Sequence, residues 1–330
     1  MSSLIRIVCW RGVVIAAALV TDRLLSDPPN RFHPVAWFGS LMGRFESRLW
    51  ADCRRSGMVY TMVGLLPAWV IAMGRAKKPK QQTPRLLALD TMVVASTLGG
   101  RQLVKVAEQI ADCLDQDDLD GARAWMPWLV GRDPCVLDES GVAAATIESL
   151  AENSVDAVVA PLFWTLAAGT PGSVAYRSIN TMDAMVGHHS NRYENFGWAS
   201  ARLDDLANYL PARIWVLLVG LVGSTPLAEV VDGVKRDAPK HPSPNAGPAE
   251  TAVAYSLGLC LGGPLKYPYR SENRPYLGDG RAPDSDDIRR TIKLVKRVER
   301  TIMLGSGIGA ACLLAVTGAL AKASKSGGTS

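Results

Sequence analysis

Three carboxylates at four-residue intervals, Glu148, Glu152 and Asp156, run straight into the apolar segment Ala157–Ala168. On a helix that spacing sets them on one face as an acidic stripe. Like charges so placed repel by roughly 0.2–0.5 kcal/mol per pair, and carboxylates beside a membrane-compatible segment are costlier still. Something cationic should sit against the stripe. The bland alternative is a solvated helix face. The density of Asn, Asp, Arg and His from there to Arg213 weighs against it.

The 330 residues are 48% apolar and 20% charged, with a mean hydropathy of +0.09. That is too apolar for a typical soluble enzyme and too charged for a compact transporter. It fits a membrane protein with substantial loops, whose partner is the lipid bilayer. The net charge of +5 is interleaved with acids along the chain, and no basic tail or aromatic-basic patch argues for nucleic acid. Six cysteines, Cys9, Cys53, Cys113, Cys135, Cys260 and Cys312, lie far apart. They make neither a zinc site nor a disulfide framework and read as lone buried thiols.

The expected fold is all-α: a single polytopic membrane domain whose extramembrane helical loops carry the polar site. Apolar segments fall at about 4–20, 58–73, 86–98, 157–174, 214–223, 251–263 and 302–321, with a polar helical insert at about 101–150. The first segment has Arg6 and Arg11 near its start and looks like a secretory signal. The polar residues after it, Asp22, Asp27 and His33, favour a retained membrane or interfacial helix. Segment 58–73 contains Pro67 and falls just short of the ~17–25 residues of a spanning helix. Arginines 44, 48, 54 and 55 precede it, and Arg75, Lys77, Lys78 and Lys80 follow it, so the positive-inside rule leaves the topology open. Segment 302–321 is the one of spanning length, and its Gly305, Gly307 and Gly309 read as close helix packing. Between His241 and Glu250, a run of prolines and glycine excludes regular structure, after which Thr251–Gly263 resumes an apolar helix.

There is no P-loop, dinucleotide fingerprint, nucleophile elbow or H-E-x-x-H. Carboxylates with Arg and Asn favour Mg²⁺ and phosphate over zinc. The guanidinium forks of Arg192, Arg202 and Arg213 match phosphate oxygens. Taken singly, Asp204-Asp205 reads equally well as a helix-dipole pair, His188-His189 as a polar loop, and His33 and His241 as turn caps.

Together the motifs resemble the CobD/CbiB family, adenosylcobinamide-phosphate synthase, a membrane enzyme of cobalamin assembly. They are D-P-P-N-R-F-H-P-V, V-G-R-D at Arg132, A-E-N-S-V-D-A-V-V-A-P-L-F, N-T-M-D-A-M-V-G, R-L-D-D-L-A-N-Y-L-P-A-R, and H-P-S-P-N-A-G-P-A-E followed by L-G-G-P. They reach from Asp22 to about Gly278. Ala184, His188-His189 and Tyr255-Ser256 depart from the pattern, which has Ser, Tyr-Lys and Ala-Gly there.

The resemblance implies a multi-pass protein of the cytoplasmic membrane and ATP-dependent amide formation. The ring D propionate of adenosylcobyric acid is joined to (R)-1-aminopropan-2-ol or its O-phosphate. ATP and Mg²⁺ are the expected cofactors. On that footing Glu148, Glu152 and Asp156 hold Mg²⁺ with Asp204 or Asp205, and Arg192, Arg202 and Arg213 hold phosphate. Asn153, Asn180 and Asp183 orient the carboxylate or the amine. Ser243, Asn245 and Glu250 form a polar loop closing over the site, and His241 carries a proton. Two other classes compete with this reading. A membrane transporter is disfavoured by short, uneven spans without inverted repeats, and a non-catalytic sensor by the intact acidic and arginine sets. The phosphorylation of the amine, the topology and the choice between monomer and homodimer stay open.

Overall fold

The structure, a computed structural model, describes residues 3–25, 30–76, 82–131, 133–267 and 270–326. Asp27 of the first motif, Lys77, Lys78, Lys80 and Arg132 lie outside them. In chain order the helices are α1 (Ser3–Leu24), α2 (Pro34–Leu49), α3 (Arg54–Gly64), α4 (Leu66–Ala76), α5 (Pro84–Ala95), α6 (Gly100–Leu114) and α7 (Leu119–Trp125). They continue with α8 (Glu139–Ser154), α9 (Ala160–Ala168), α10 (Thr170–Val186), α11 (Trp198–Val222), α12 (Leu227–Asp237), α13 (Ala246–Leu257) and α14 (Ser285–Ser326). A π-helical turn, Val155–Val159, joins α8 to α9. An antiparallel hairpin, β1 (Leu261–Tyr267) and β2 (Arg270–Leu277), precedes α14. The fold is thus all-α apart from one hairpin. The chain forms two compact units, residues 1–98, 161–201 and 299–330, and residues 99–160 and 202–298.

The first unit wears apolar side chains outward. Leu4, Phe32, Trp37, Met62, Trp69, Val70, Met92 and Ile308 are all exposed, the pattern of a lipid-facing surface rather than a solvated one. Its core is Met42, Tyr60, Met182, Val186 and Phe196, with the Tyr60 and Phe196 rings 5.1 Å apart. Leu4–Leu24 is long and apolar enough to cross a membrane, with a mean hydropathy of 1.9. Helices α3 and α4, bent by 42° at their junction, would make one further span taken together. The bend precedes Pro67, which has no N–H for the helical ladder. Segment 157–174 is likewise divided, at Gly169, whose φ of 74° ends α9 before α10 begins. Of the glycines expected in close helix packing, Gly307 meets the Ala16 Cβ, 3.8 Å from an added Cβ, while Gly305 and Gly309 have nothing within 4 Å. A tighter approach is at Gly12, where an added Cβ would lie 2.8 Å from the Ser306 carbonyl oxygen.

The second unit is built on α6, α8 and α13, whose small residues Ala107, Ala111, Ala143, Ala145, Ala151, Ala249, Ala252 and Ala254 are buried. Segment 214–223 proves to be only the end of α11, which runs unbroken through Pro211 for 25 residues. That helix also has the length and apolarity to span a membrane, so the R-L-D-D-L-A-N run lies on it and not in a loop.

The proline-rich run before Glu250 also proves more regular than expected. Ser243 Oγ accepts from the N–H groups of Asn245 and Ala246 at 3.3 and 3.1 Å, capping α13, whose first turn holds Pro248 where its missing N–H costs nothing. The helix then ends at Leu257, because Gly258 takes a left-handed φ of 69°, and residues 261–263 enter β1. Among the cysteines only Cys9 is buried; Cys53, Cys135 and Cys312 are exposed, which corrects the expectation of buried thiols.

Candidate functional site

In the second unit, α8, α13 and the hairpin bring four ionisable side chains inward. Glu148 on α8 is 2% exposed, and its Oε1 accepts the Gly262 N–H of β1 at 2.8 Å. Glu250 on α13 is equally buried, and its Oε2 lies 3.9 Å from His241 Nε2. Arg274 of β2 brings Nη1 to 3.3 Å from the same His241 nitrogen. A carboxylate, an imidazole and a guanidinium thus meet around His241 in a low-dielectric setting where charge interactions are strong.

The backbone fixes His241. Its Nδ1 lies 3.1 Å from the Ser243 nitrogen and 3.3 Å from the Ser243 oxygen. The Ser243 N–H donates to Nδ1, while Nε2 faces Arg274 Nη1 and Glu250 Oε2. A protonated ring is an imidazolium facing Glu250. His241 also lines a cavity of about 560 Å³, walled by Val216, Leu217, Val231 and Val234 and carrying Arg213 and Lys235. The imidazole therefore joins a buried acid to an open, apolar chamber.

Arg213 belongs to this wall by construction. Its Nη1 donates to the carbonyls of Tyr209 and Pro244 and to Asn245 Oδ1 at 3.0–3.1 Å, and its guanidinium stacks 3.8 Å over the Tyr209 ring. Asn245 in turn donates to the Asp205 carbonyl at 2.8 Å. Ser243, Asn245 and Arg213 thus weld the loop to α11, in place of a polar loop closing over the site.

The hairpin that delivers Arg274 is held from outside. Burial pushes the Asp237 carboxyl up, but hydrogen bonds from Lys240, the Gly278 N–H and Arg236 overcome this and hold it below the usual range. Tyr255 donates to it as well, at 2.9 Å. Asp287, contacted by Arg281 and Arg290 at 2.7 and 2.6 Å, is held low in the same way against the opposing effect of burial.

Glu148 and Glu152 share a face of α8 but not an environment. Glu148 is buried under the hairpin, Glu152 is exposed, and Asp156 is half-buried on the π turn, which rotates everything after it. Nor do Glu152, Asp156, Asp204 and Asp205 form a cage: among the described residues no three His, Cys, Asp or Glu side chains are grouped to hold a metal. Asp204 accepts from Asn208 at 3.0 Å, and Asp205 pairs with Arg202 at 3.7 Å. Asn153 turns back on its own helix, donating to the oxygens of Ser149.

The first unit holds the other expected residues. Asn180 accepts from Arg177 at 3.0 Å, and Asp183 sits on the last turn of α10. Arg192, expected on phosphate, pairs with Glu46 at 3.0 Å and lies over the Trp50 ring. Arg274 and Lys235 were missed by sequence reasoning; Arg270–Leu277, with Pro275 and no apolar alternation, gives no strand signal.

The sequence matches the family described as CobD/Cbib protein over residues 15–295. It is 41% identical to the Cobalamin biosynthesis protein CobD of Mycobacterium tuberculosis H37Rv, over 92% of this chain and 96% of that one. Identity is 42% to the CobD of Chromobacterium violaceum, over 87% and 92% of the two chains. It is 35% to the Cobalamin biosynthesis protein CbiB of Salmonella choleraesuis, over 89% and 96%. No solved structure matches the chain.

Proposed function

Because the chain belongs to the CobD/CbiB family, we propose that it serves cobalamin biosynthesis as an ATP-dependent amide ligase. Adenosylcobyric acid is joined to (R)-1-aminopropan-2-ol or its O-phosphate, giving adenosylcobinamide or its phosphate. The observation that carries this reading is His241, set between the buried Glu250 and a chamber with two cations on its wall.

A carboxylate does not condense with an amine at neutral pH. One carboxylate oxygen first takes the γ-phosphoryl group of ATP, and ADP leaves. The amine nitrogen then attacks the acyl carbon, forming the C–N bond as phosphate departs with the acyl C–O electrons. The proton lost by the amine passes to the His241 imidazole, and the resulting imidazolium is stabilised by Glu250. Arg213 and Lys235 face the charge on the phosphate of the amine or of the acyl phosphate. The apolar walls keep water from the acyl phosphate. Glu152 and Asp156 would hold Mg²⁺, which would offset negative charge in phosphoryl transfer. The chamber suits the amine and the propionate tip, with the corrin ring outside.

The test is ATP consumption by the purified protein with adenosylcobyric acid, comparing aminopropanol with its phosphate and weighing the products. ADP formation that needs both substrates and yields the amide is expected. ATP hydrolysis indifferent to the corrinoid would overturn the proposal.

A further inference from the structure

In the first unit, α1 carries a permanent charge into its own apolar span. Arg11 stands seven residues inside Leu4–Leu24, about 10 Å along the helix axis. Its Nη1 donates to the carbonyls of Leu166 and Ala167 at 2.9 and 2.8 Å. No carboxylate pairs with it among the described residues. An arginine so placed is expensive, and it faces a cavity, a partner or a ligand.

It faces a cavity. A chamber of about 450 Å³ is lined by Arg11, Arg75 and Asp90, with Ile7, Val14 and Ala72 as apolar wall. Asp90 is 2% exposed and already engaged. It accepts from Trp10 Nε1 at 2.9 Å and Thr170 Oγ1 at 2.5 Å, and it pairs with Arg75. Two guanidinium groups therefore meet one carboxylate, and the chamber carries an excess positive charge. Thr170 opens α10, so the positive end of that helix adds to the excess. The surrounding surface is apolar: Leu4, Val70, Met73 and Leu89 are exposed.

We propose that this chamber binds the phosphodiester headgroup of an acidic phospholipid. Arg11 and Arg75 grip the phosphate, and the acyl chains lie along the exposed apolar residues. The occupant follows from the chemistry. The walls ask for an anion at one end and hydrocarbon at the other, and a basic chamber among membrane helices selects anionic over zwitterionic lipid. Arg11 reaches toward the headgroup level from within the span, as long cationic side chains do. The assignment is independent of the ligase reading, since none of these residues belongs to it.

The experiment uses the full chain purified in detergent, titrated with phosphatidylglycerol or phosphatidylcholine of matched acyl chains. Retained lipid is read by native mass spectrometry, and stability by thermal unfolding. The wild type should retain phosphatidylglycerol and unfold at higher temperature with it, and should ignore phosphatidylcholine. Arg11→Gln should weaken phosphatidylglycerol about fivefold without changing the unfolding temperature in phosphatidylcholine. Ala72→Trp keeps both arginines but fills the chamber; it should also lose the lipid, and it decides the matter if Arg11→Gln does not fold. Equal response to the two lipids, wild-type retention of phosphatidylglycerol by Ala72→Trp, or an equal shift with inorganic phosphate would each overturn the proposal.

Discussion

Both units bury carboxylates, but they surround them differently. Asp90 of the first unit is ringed by donors that do not change state near neutral pH: an indole N–H, a hydroxyl and an arginine. Glu250 of the second shares its pocket with an imidazole, the one side chain that ordinarily gains and loses a proton there. A carboxylate held by fixed donors is a rivet between helices. One facing a titratable ring in contact with a cavity can take part in chemistry. The two units thus teach that burial alone does not mark a working acid; the neighbour does.

The sharpest way to break this contrast is His241→Gln. Ligation should fall about 10²–10⁴-fold while the unfolding temperature stays near wild type; a parallel loss of stability would make the ring mere packing. Asp90→Leu should do the reverse. It strands Arg75, the Trp10 N–H and the Thr170 hydroxyl, so stability should drop by on the order of 2–4 kcal/mol, with turnover per folded molecule unchanged.

Arg274→Met tests the neighbour directly. Without that cation the His241 ring loses its contact at Nε2, so turnover should fall by about tenfold. Unchanged turnover would remove Arg274 from the site.

A smaller effect concerns acid. Asp237 and Asp287 are held below their unfolded values, so the stability they add is fully present above the unfolded pKa, about 3.9. It should be lost as pH falls through their lower folded values. Unfolding temperatures between pH 5 and 2.5 should fall more steeply for wild type than for Asp237→Asn. The smallest expectation is Arg192→Ala. Its exposed pair with Glu46 should leave turnover within about twofold, and a large loss would restore Arg192 to the phosphate site.

The helical architecture was legible because apolar runs broken by Pro67 and Gly169 report helix and break directly. Segment 214–223 read too short because Pro211 and Arg213 look like a boundary. Yet a proline removes a single hydrogen bond, and Arg213 finds acceptors in its own helix and in the loop beside it. The hairpin was invisible for a similar reason. Pro264 and Pro275 stand in its strands, which a two-stranded ribbon tolerates because both strands are edges, and its register shifts between Gly262 and Pro264. Such a ribbon is marginal alone; Glu148 and Asp237 hold it by two backbone N–H groups.

At the site, the motifs pointed to Glu148, His241 and Glu250; His241 and Glu250 lie 3.9 Å apart, and Glu148 is buried against the Gly262 N–H. Arg274 could not be found that way, since its approach to a histidine 33 positions earlier is set by tertiary packing. Nor does sequence say which arginine is already engaged: Arg192 and Arg213 look alike until Glu46 and Asn245 are in place.

Helix α11 does two jobs along one rod. Its length and apolarity suffice to cross a bilayer, and the same rod carries Arg213 on the chamber wall. A host membrane that is too thin or too thick must tilt or shift such a rod. Acyl-chain length then becomes a kinetic variable, and assays in short- and long-tailed lipids would register the mismatch as a change in catalytic rate.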